Sequence, residues 1–315
     1  MRPAGRRSDL KTSIRRGDWS LTATAPDRAF PSDFQRAKAR SRRRYRRTDD
    51  CHLIRRPGPA VNFERDRDVT RISVVTAVYN RARTLGEALD SVAAQTHPDV
   101  EHVIQDGGST DGTLELIEAR SQSNISLVSE PDGGIYDAIN KGIARCTGDV
   151  IGLMHSDDFF ASDRVLEQVA RAMEDPAIEG VYGDLDYVSG TDTGRIIRKW
   201  RSGSYTMDSL KRGWMPPHPT LYLRREVFDR WGVYDTSFRI AADYDAMLRY
   251  MVKGSVRLVH VPEVFVKMRV GGESNKSIGK ILRKSREDYR ALRANGVGGM
   301  GALAMKNLSK VKQFL

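Results

Sequence analysis

The sequence is poor in cysteine, because its 315 residues include only Cys51 and Cys146. Two thiols are too few for a disulfide framework or for a zinc site built from several cysteines. The chain is therefore not expected to be a secreted domain stabilised by disulfides. We expect the protein to work in a reducing compartment, namely the cytoplasm.

Several familiar signals are also missing. No apolar run approaches the roughly 20 residues of a membrane-spanning helix, and the arginine-rich N-terminus lacks the apolar segment of a secretory signal. No G-x-G-x-x-G follows the first predicted strand, and the chain has no P-loop lysine motif. These absences argue against dinucleotide-dependent enzymes and against ordinary ATPases.

Basic residues are abundant but unevenly placed, and the net charge is +11. Residues 1–70 contain 19 Lys and Arg against 9 Asp and Glu, whereas the rest of the chain contains 33 against 32. We therefore predict that residues 1–70 form a disordered basic arm without a catalytic role. Such an arm suits anionic lipid or RNA, but the nearly neutral remainder makes nucleic acid an unexpected partner of the folded body.

From Arg71 onward, strand and helix patterns alternate. Short apolar strands are predicted at residues 72–79, 100–105, 125–129 and 150–154, and helices at 84–95, 113–120, 135–143 and 163–173. Alternation of this kind implies a mostly parallel sheet flanked by helices, in an α/β fold.

The regular alternation of predicted strands and helices ends after Glu179. Strands are predicted at residues 181–184, 187–188, 195–200, 220–223, 256–261 and 264–268, and helices at 225–231, 241–252 and 276–293. A long loop is predicted at 201–217. We interpret residues 71–295 as one α/β domain, whose second half builds the far wall of a crevice, and residues 296–315 as a tail or amphipathic helix.

Two carboxylates follow the strand at residues 150–154. Asp157 and Asp158 stand where the carboxyl end of an inner strand meets the ligand crevice of an open α/β sheet. Neighbouring carboxylates repel each other unless a cation or a donor joins them, and such oxygen ligands suit Mg²⁺ or Mn²⁺ together with a phosphate. The alternative is a pair that caps the next helix.

Polar residues end two other predicted strands. The side chains of Thr76, Asn80 and Asp106 are able to hydrogen-bond a base or a ribose. A glycine turn with helix capping is a second interpretation of the segment that starts at Asp106. A nucleotide held at its base and ribose, with a cation on its diphosphate, fits the three strand ends together.

Four segments in order resemble the family-two glycosyltransferases of the GT-A fold, a nucleotide-diphospho-sugar transferase fold, over residues 71–295. They are VVTAVYN at 74–80, QDGGSTDGT at 105–113, EPDGGIYDAINKGI at 130–143 and HSDD at 155–158. The third resembles a subgroup that acts in polysaccharide and lipopolysaccharide assembly. The resemblance implies hexosyl transfer from a nucleotide-diphosphate sugar, with UDP as the expected nucleotide.

The resemblance also implies a set of donor-binding residues. They are Thr76, Ala77, Tyr79, Asn80, Asp106, Asp137, Asn140, Ser156, Asp157, Asp158 and Arg269. His155 replaces the first acid of the family's D-x-D motif, so Asp157 becomes the main ligand of Mg²⁺ or Mn²⁺ and Asp158 its support. His155 either stays neutral beside the diphosphate or faces the core.

The expected catalytic base is Asp243, in a place where the family carries an acidic pair and this chain has Ala242 in the first position. A helix N-cap is the alternative role for Asp243. Arg269, with the segment 271–274, resembles a loop that closes over the diphosphate, where an arginine is able to pair a phosphate. A solvated arginine is the alternative.

The acceptor side is expected near Trp214 and His218, because aromatic faces suit sugar rings; for Trp214 a core position is equally open. The tail helix places Leu303, Met305, Leu308, Val311 and Leu315 near one side and adds Lys306, Lys310 and Lys312. It either packs on the body or lies on an anionic membrane surface, where a lipid-linked acceptor would be found.

The sequence therefore predicts an inverting glycosyltransferase that acts on an envelope glycan or a lipid-linked acceptor, either free in the cytoplasm or at the inner face of the membrane. Asp243 would take the acceptor proton during a single displacement. A nucleotidyltransferase is a competing enzyme class, but residues 79–82 lack the glycine-rich loop that it needs. The non-enzymatic alternative is a protein that binds a nucleotide sugar or RNA without catalysis.

Overall fold

Four parallel strands form one half of the central sheet. They are β1 (Ile72–Val78), β2 (Val100–Asp106), β3 (Ile125–Ser129) and β4 (Val150–Leu153), in the spatial order β3-β2-β1-β4. The register pairs Val78 with Asp106 and Asp106 with Ser129, so three strands end at the same edge. The predicted parallel sheet is confirmed for this half.

The structure is a computed structural model that describes residues 69–120, 123–270 and 278–311. The predicted arm at 1–70 lies outside these residues except for its last two, and so do Cys51 and the predicted closing loop at 271–274. Cys146 is a free and buried thiol, whose pKa burial raises to about 12.

The second half of the sheet is mixed. It contains β5 (Phe159–Phe160), β6 (Gly180–Val188), β7 (Ile196–Trp200), β8 (Tyr222–Arg224) and β9 (Leu258–Arg269). The short strand β8 joins the halves, because it pairs antiparallel with both β4 and β6. The longest pairing of this half, β6 with β9, is parallel, while β5 and β7 pair antiparallel with β9 and β6.

In two places, a pair of consecutive strands that the sequence predicts separately forms a single strand in the structure. The segments at 181–184 and 187–188 are both parts of β6, and those at 256–261 and 264–268 both belong to β9. Between the partners Tyr182↔His260 and Asp184↔Val264, β9 advances by more residues than β6. The extra residues include Pro262, which cannot donate to the ladder, so β9 bulges there without ending.

Helices cover both faces of the sheet. They are α1 (Leu85–Ala93), α2 (Thr113–Ala119), α3 (Ile135–Arg145), α4 (Val165–Ala172), α5 (Met207–Lys211), α6 (Arg225–Trp231), α7 (Ala242–Leu248), α8 (Ile278–Ala294) and α9 (Met300–Val311). The sequence did not single out α5 in the predicted loop, and the helix predicted at 241–252 changes to a π-helical turn at Arg249–Lys253.

Apolar side chains pack against the two faces as two separate clusters. Leu85, Leu89 and Val165 belong to the cluster under α1 and α4. Ile139 and Met247 belong to the cluster under α3 and α7. Burial of such side chains is the main favourable contribution to folding, and it fixes the helices that carry the site below.

The last helix packs on the body. Leu303 is buried in the core cluster under α7, and the Lys306 ammonium lies 2.9 Å from the Asp288 carboxylate with almost no exposed surface. Lys306 is therefore not part of an exposed charged face, as the membrane alternative supposed, although Met305 remains exposed. The side chains of Leu308, Lys310 and Val311 and the residues Lys312 and Leu315 lie outside the described part. None of the described helices is both long and apolar enough to span a membrane.

Candidate active site

The Asp106 carboxylate is fully occupied by its own loop. Its oxygens accept hydrogen bonds from the backbone N–H groups of Gly108 and Ser109, at 2.9 Å each, and from the Ser129 hydroxyl at 2.7 Å. Burial alone would raise the pKa of Asp106, but these donors and the Ser109 hydroxyl hold it below its ordinary value. The side chain has no exposed surface in this structure, and its predicted contact with a base or ribose stays a prediction.

The end of β1 supplies one exposed ring and two engaged polar side chains. The Thr76 hydroxyl is fully buried at 2.9 Å from the His102 ring, and its predicted contact with a nucleotide stays a prediction. The Asn80 side chain accepts from the Thr110 backbone N–H at 2.9 Å, which fastens the β1 loop to the β2 loop. Ala77 is half-buried, whereas Tyr79 keeps 58% of its surface exposed.

The two candidate residues on α3 stabilise local structure. The Asp137 carboxylate accepts from the Gly133 backbone N–H at 2.9 Å and lies 3.6 Å from the Lys141 ammonium. The Asn140 amide bonds both backbone groups of Tyr234, at 2.8 and 3.0 Å. Both ends of the Asn140 amide are therefore engaged within the protein, and its predicted role in donor binding stays a prediction.

The acidic loop after β4 is braced by Arg269. The Arg269 side chain donates to the Asp157 backbone carbonyl and forms an ion pair with Glu87, and its backbone N–H donates to Asp158 Oδ1 at 3.1 Å. Only 10% of the Arg269 side chain is exposed, so a solvated arginine does not describe it, and its pairing with a phosphate stays a prediction. The Ser156 backbone carbonyl accepts from Thr84 at 3.1 Å.

Asp157 and Asp158 fit a divalent cation. Asp158 Oδ2 is buried and has no hydrogen-bond partner among the described residues. Burial, and after it the charge of Asp157, raises the pKa of Asp158 well above its ordinary value. A cation would relieve both the orphaned oxygen and the repulsion, while the half-buried Asp157 is open to a ligand.

The described residues contain no group of three acidic, histidine or cysteine side chains arranged to hold a metal ion. Mg²⁺ commonly takes only one or two carboxylates from a protein and completes its shell with phosphate oxygens and water. A cation shared between Asp157, supported by Asp158, and a diphosphate therefore fits this loop better than a metal held by the protein alone.

Asp243 lies in the first turn of α7 without capping that helix. The N-cap position is Ala241, and the preceding backbone N–H groups donate to the Glu287 carboxylate, with Ile240 at 2.8 Å and Ala241 at 3.0 Å. The Tyr136 hydroxyl lies 3.2 Å from Asp243 Oδ1. The capping interpretation of Asp243 is therefore corrected, because Glu287 satisfies that end of the helix.

Two histidines join the acidic loop to Asp243. The rings of His155 and His218 lie 5.7 Å apart, and His218 Nε2 lies 2.9 Å from the Tyr234 hydroxyl. Burial lowers the pKa of His155, while the charges of both Asp157 and Asp243 act to raise it. The charges of both carboxylates therefore act on one imidazole, so the candidate cation ligand and the candidate base lie in the same region of the structure.

The charge state of Asp243 follows from its neighbours. Burial would raise its pKa, but the charges of His218, Lys284 and Lys306, with a backbone hydrogen bond, hold the pKa below its ordinary value. Burial lowers the pKa of His218 to about 4, so His218 is neutral at neutral pH. At neutral pH the two lysines are then the cations among these groups that act on Asp243.

Trp214 fills the core under the loop that precedes β8. Its ring stacks on Tyr205 with centroids 5.7 Å apart and meets Tyr182 edge-on at 5.8 Å. The indole N–H donates to the Ser202 carbonyl at 3.0 Å. Of the two roles open from the sequence, the core position is the one observed, and His218 alone of the acceptor pair lies beside Asp243.

Comparison with known proteins identifies the family. Residues 73–240, more than half of the chain, match the sequence pattern of Glycosyl transferase family 2. The chain is a family-two glycosyltransferase. A PGL/p-HBAD biosynthesis glycosyltransferase of Mycobacterium bovis is 30% identical to it over 222 residues, which is 67% of this chain and 82% of that protein.

Solved structures show that this glycosyltransferase has the GT-A fold. TarS of S. aureus, residues 1–349 in complex with UDP-GlcNAc, matches with a TM-score of 0.58 and 20% identity, over 72% of this chain and 66% of that one. The mannosyltransferase PcManGT from Pyrobaculum calidifontis, in complex with GDP-Man and Mn²⁺, matches with a TM-score of 0.54 and 18% identity, over 78% and 70%. The predicted fold class is confirmed.

Around Asp243 lie further residues that the sequence analysis did not assign to the active site. They include Tyr136, Tyr234, Lys284 and Lys306. Tyr136 stood in the quoted segment at 130–143, so its polar hydroxyl was a usable signal. Lys306 carried no such signal in the sequence, because only tertiary packing brings the last helix behind α7.

Proposed function

We propose that this family-two glycosyltransferase inverts the anomeric configuration of a sugar that it transfers from a nucleoside-diphosphate donor, with UDP as the expected nucleotide. The acceptor would be a hydroxyl of an envelope glycan or of a lipid-linked glycan. The observation that carries the proposal is His155, which lies in the field of both Asp157 and Asp243. The bound UDP-GlcNAc of TarS and GDP-Man of PcManGT support the donor class.

Asp243 is the proposed general base. It is ionised at neutral pH, and the Tyr136 hydroxyl 3.2 Å away restricts its orientation. The acceptor oxygen would attack the anomeric carbon while its proton passes to Asp243 and the bond to the diphosphate breaks. A single displacement of this kind inverts the configuration at that carbon.

The acidic loop is the proposed site for the diphosphate. Asp157, supported by Asp158, would hold Mg²⁺ or Mn²⁺, and Arg269 fixes the loop from behind. When bound, the cation neutralises charge that develops on the leaving group. PcManGT, whose structure contains Mn²⁺ with GDP-Man, supports this choice of cofactor. His155 stays neutral near the loop, so it is able to donate a hydrogen bond without adding charge.

A donor panel tests the proposed activity. We expect the protein to release nucleoside diphosphate from one nucleotide class of hexose donor, and to stop doing so when EDTA removes the divalent cation. The measurement is nucleotide release from UDP-, GDP- and dTDP-linked hexoses with added Mg²⁺ or Mn²⁺, beside a calorimetric titration of each donor. Failure of every donor to bind would overturn the proposal.

Lys306 gives a prediction about pH. Asp243 is a base only when ionised, so kcat/KM falls as the pH falls through its pKa. Replacing Lys306 with methionine removes a cation that lowers that pKa, and the acid limb of the pH profile should therefore move to higher pH. The measurement is kcat/KM against pH.

Two further variants separate charge from packing at this position. Lys306→Arg keeps the cation beside Asp288 and should leave the acid limb in place, and Lys253→Met removes an exposed lysine and should have no effect. An unmoved acid limb in Lys306→Met, in a protein with an unchanged melting temperature, would contradict the electrostatic role.

A further inference from the structure

The backbone that leads into α7 is held from two sides. Three consecutive N–H groups donate to Glu287 Oε2, at 3.1, 2.8 and 3.0 Å, and they belong to Arg239, Ile240 and Ala241. The Ile240 carbonyl accepts from the Tyr136 hydroxyl at 2.7 Å. Glu287 lies on α8 and Tyr136 on α3, so two helices that are remote in the chain fix one short stretch of backbone.

The helix α7 has little of its own to fix where it begins. It contains seven residues, and a helix shorter than about 12 residues is marginal without tertiary contacts. Its N-cap residue is Ala241, whose methyl group accepts no hydrogen bond. The Glu287 carboxylate binds the N–H of this residue and those of the two residues before it, so it determines the path by which the chain enters the helix.

The proposed base stands directly after this entry. Asp243 is the second residue of α7, two positions beyond Ala241. The Tyr136 hydroxyl that contacts the Ile240 carbonyl also lies 3.2 Å from Asp243 Oδ1. A shift of the entry would therefore move the Asp243 backbone and change its contact with Tyr136 at the same time.

We propose that Glu287 is a positioning residue for Asp243, which holds the entry of α7 so that the Asp243 carboxylate faces the acceptor hydroxyl. This inference rests on the proposed function, in which Asp243 is the base. A displacement of about 1 Å at a reacting group lowers a rate by a factor on the order of 10². Donor binding should not depend on Glu287, because Arg269 holds the acidic loop independently of it.

The Glu287→Ala variant tests the role of the carboxylate by removing the acceptor of all three N–H groups. We expect kcat to fall about 10- to 100-fold, while KM for the donor stays close to that of the parent. Glu287→Gln keeps one carbonyl oxygen, which is able to take the place of Oε2, and should restore most of the rate. The measurement is steady-state transfer by the full chain, with a melting temperature for each variant.

Glu287→Asp keeps the test open if Glu287→Ala does not fold. Its carboxylate is shorter by one methylene group, so the charge remains while the oxygens are drawn back from the N–H groups. The kcat of this variant should also fall, with an unchanged KM for the donor. Parental kcat in a folded Glu287→Asp protein would then overturn the positioning role.

Asn295→Ala is the matched structural control. The Asn295 amide, next to the end of α8, donates to Asp245 Oδ1 at 2.9 Å and so joins the same two helices without touching the entry of α7. Its loss should lower the melting temperature and leave kcat close to that of the parent. A fall in kcat equal to that of Glu287→Ala would show that any loosening between α7 and α8 has this effect, and would overturn the inference.

A double variant separates positioning from a general loss of structure. If Glu287 acts through Asp243, Glu287→Ala should lower the rate little further in the Asp243→Asn protein, which has no base to position. A purely structural role would lower the rate by the same factor in both proteins.

The outcomes also separate this inference from the proposed function. Parental kcat in a folded Glu287→Ala protein, or equal losses in the two backgrounds, would overturn the positioning role and leave the transferase standing as long as Asp243→Asn is slow. Near-normal turnover of Asp243→Asn would instead remove the proposed base, and the role of Glu287 with it.

Discussion

Transfer by the Asp243→Asn protein should be slower by a factor on the order of 10²–10⁴, the usual contribution of general base catalysis. An amide is not basic at neutral pH, so the acceptor proton has no place to go. Asparagine has the same shape and still accepts from the Tyr136 hydroxyl. Because Glu287 satisfies the start of α7, the helix does not depend on the lost carboxylate.

The measurement for Asp243 is a steady-state transfer rate beside a donor titration and a melting temperature on the same preparation. Donor affinity and melting temperature should remain close to those of the parent. Asp229→Asn, an exposed aspartate on the neighbouring helix α6, is the control for an isosteric loss of charge. Near-normal turnover in Asp243→Asn would exclude the proposed base while leaving a nucleotide-sugar-binding fold possible.

The Asp157→Asn protein should lose cation-dependent binding of nucleoside diphosphate. Its transfer rate should fall by at least a factor on the order of 10²–10³, which is the loss seen when one preorganised group that stabilises developing charge is removed. The Asp157 backbone carbonyl still accepts from Arg269, so the loop should keep its conformation. The measurement is a titration of nucleoside diphosphate with and without Mn²⁺, together with the transfer rate.

Asp163→Asn is the control for Asp157, because Asp163 is an exposed aspartate in the segment that follows the same loop. It should bind the nucleotide as the parent does in the presence of Mn²⁺. If Asp157→Asn retained the Mn²⁺ dependence of the parent, the cation would have to be held elsewhere, and the proposed role of the acidic loop would be wrong.

The sequence predicts the first half of the fold well for a physical reason. Buried parallel strands are continuous apolar runs, and the helices between them carry a clear 3.6-residue stripe. The strand predicted at 125–129 agrees with β3 at both ends. In the second half, Pro262 indicates an interruption of pairing, but the sequence does not show that β9 continues through it as a bulge.

At the candidate site, residue type alone does not tell which side chains bind a ligand and which bond within the protein. Asp106, Asn140 and Arg269 all have side chains that are able to bind a nucleotide, and in the structure each is engaged by the protein itself. The choice between a ligand and an internal partner depends on distances between segments that are remote in the chain.

The position of Lys306 behind Asp243 has a consequence for how an active molecule is completed during synthesis. The three parallel strands β1, β2 and β3, which end at the same edge of the sheet, come from the first half of the chain, whereas Lys306 belongs to the last described helix. A ribosome therefore finishes these three strands long before it supplies the Lys306 charge, which helps to lower the pKa of Asp243, the proposed base. We expect a chain that is cut short before α9 to hold a donor nucleotide and yet activate an acceptor poorly at mildly acidic pH.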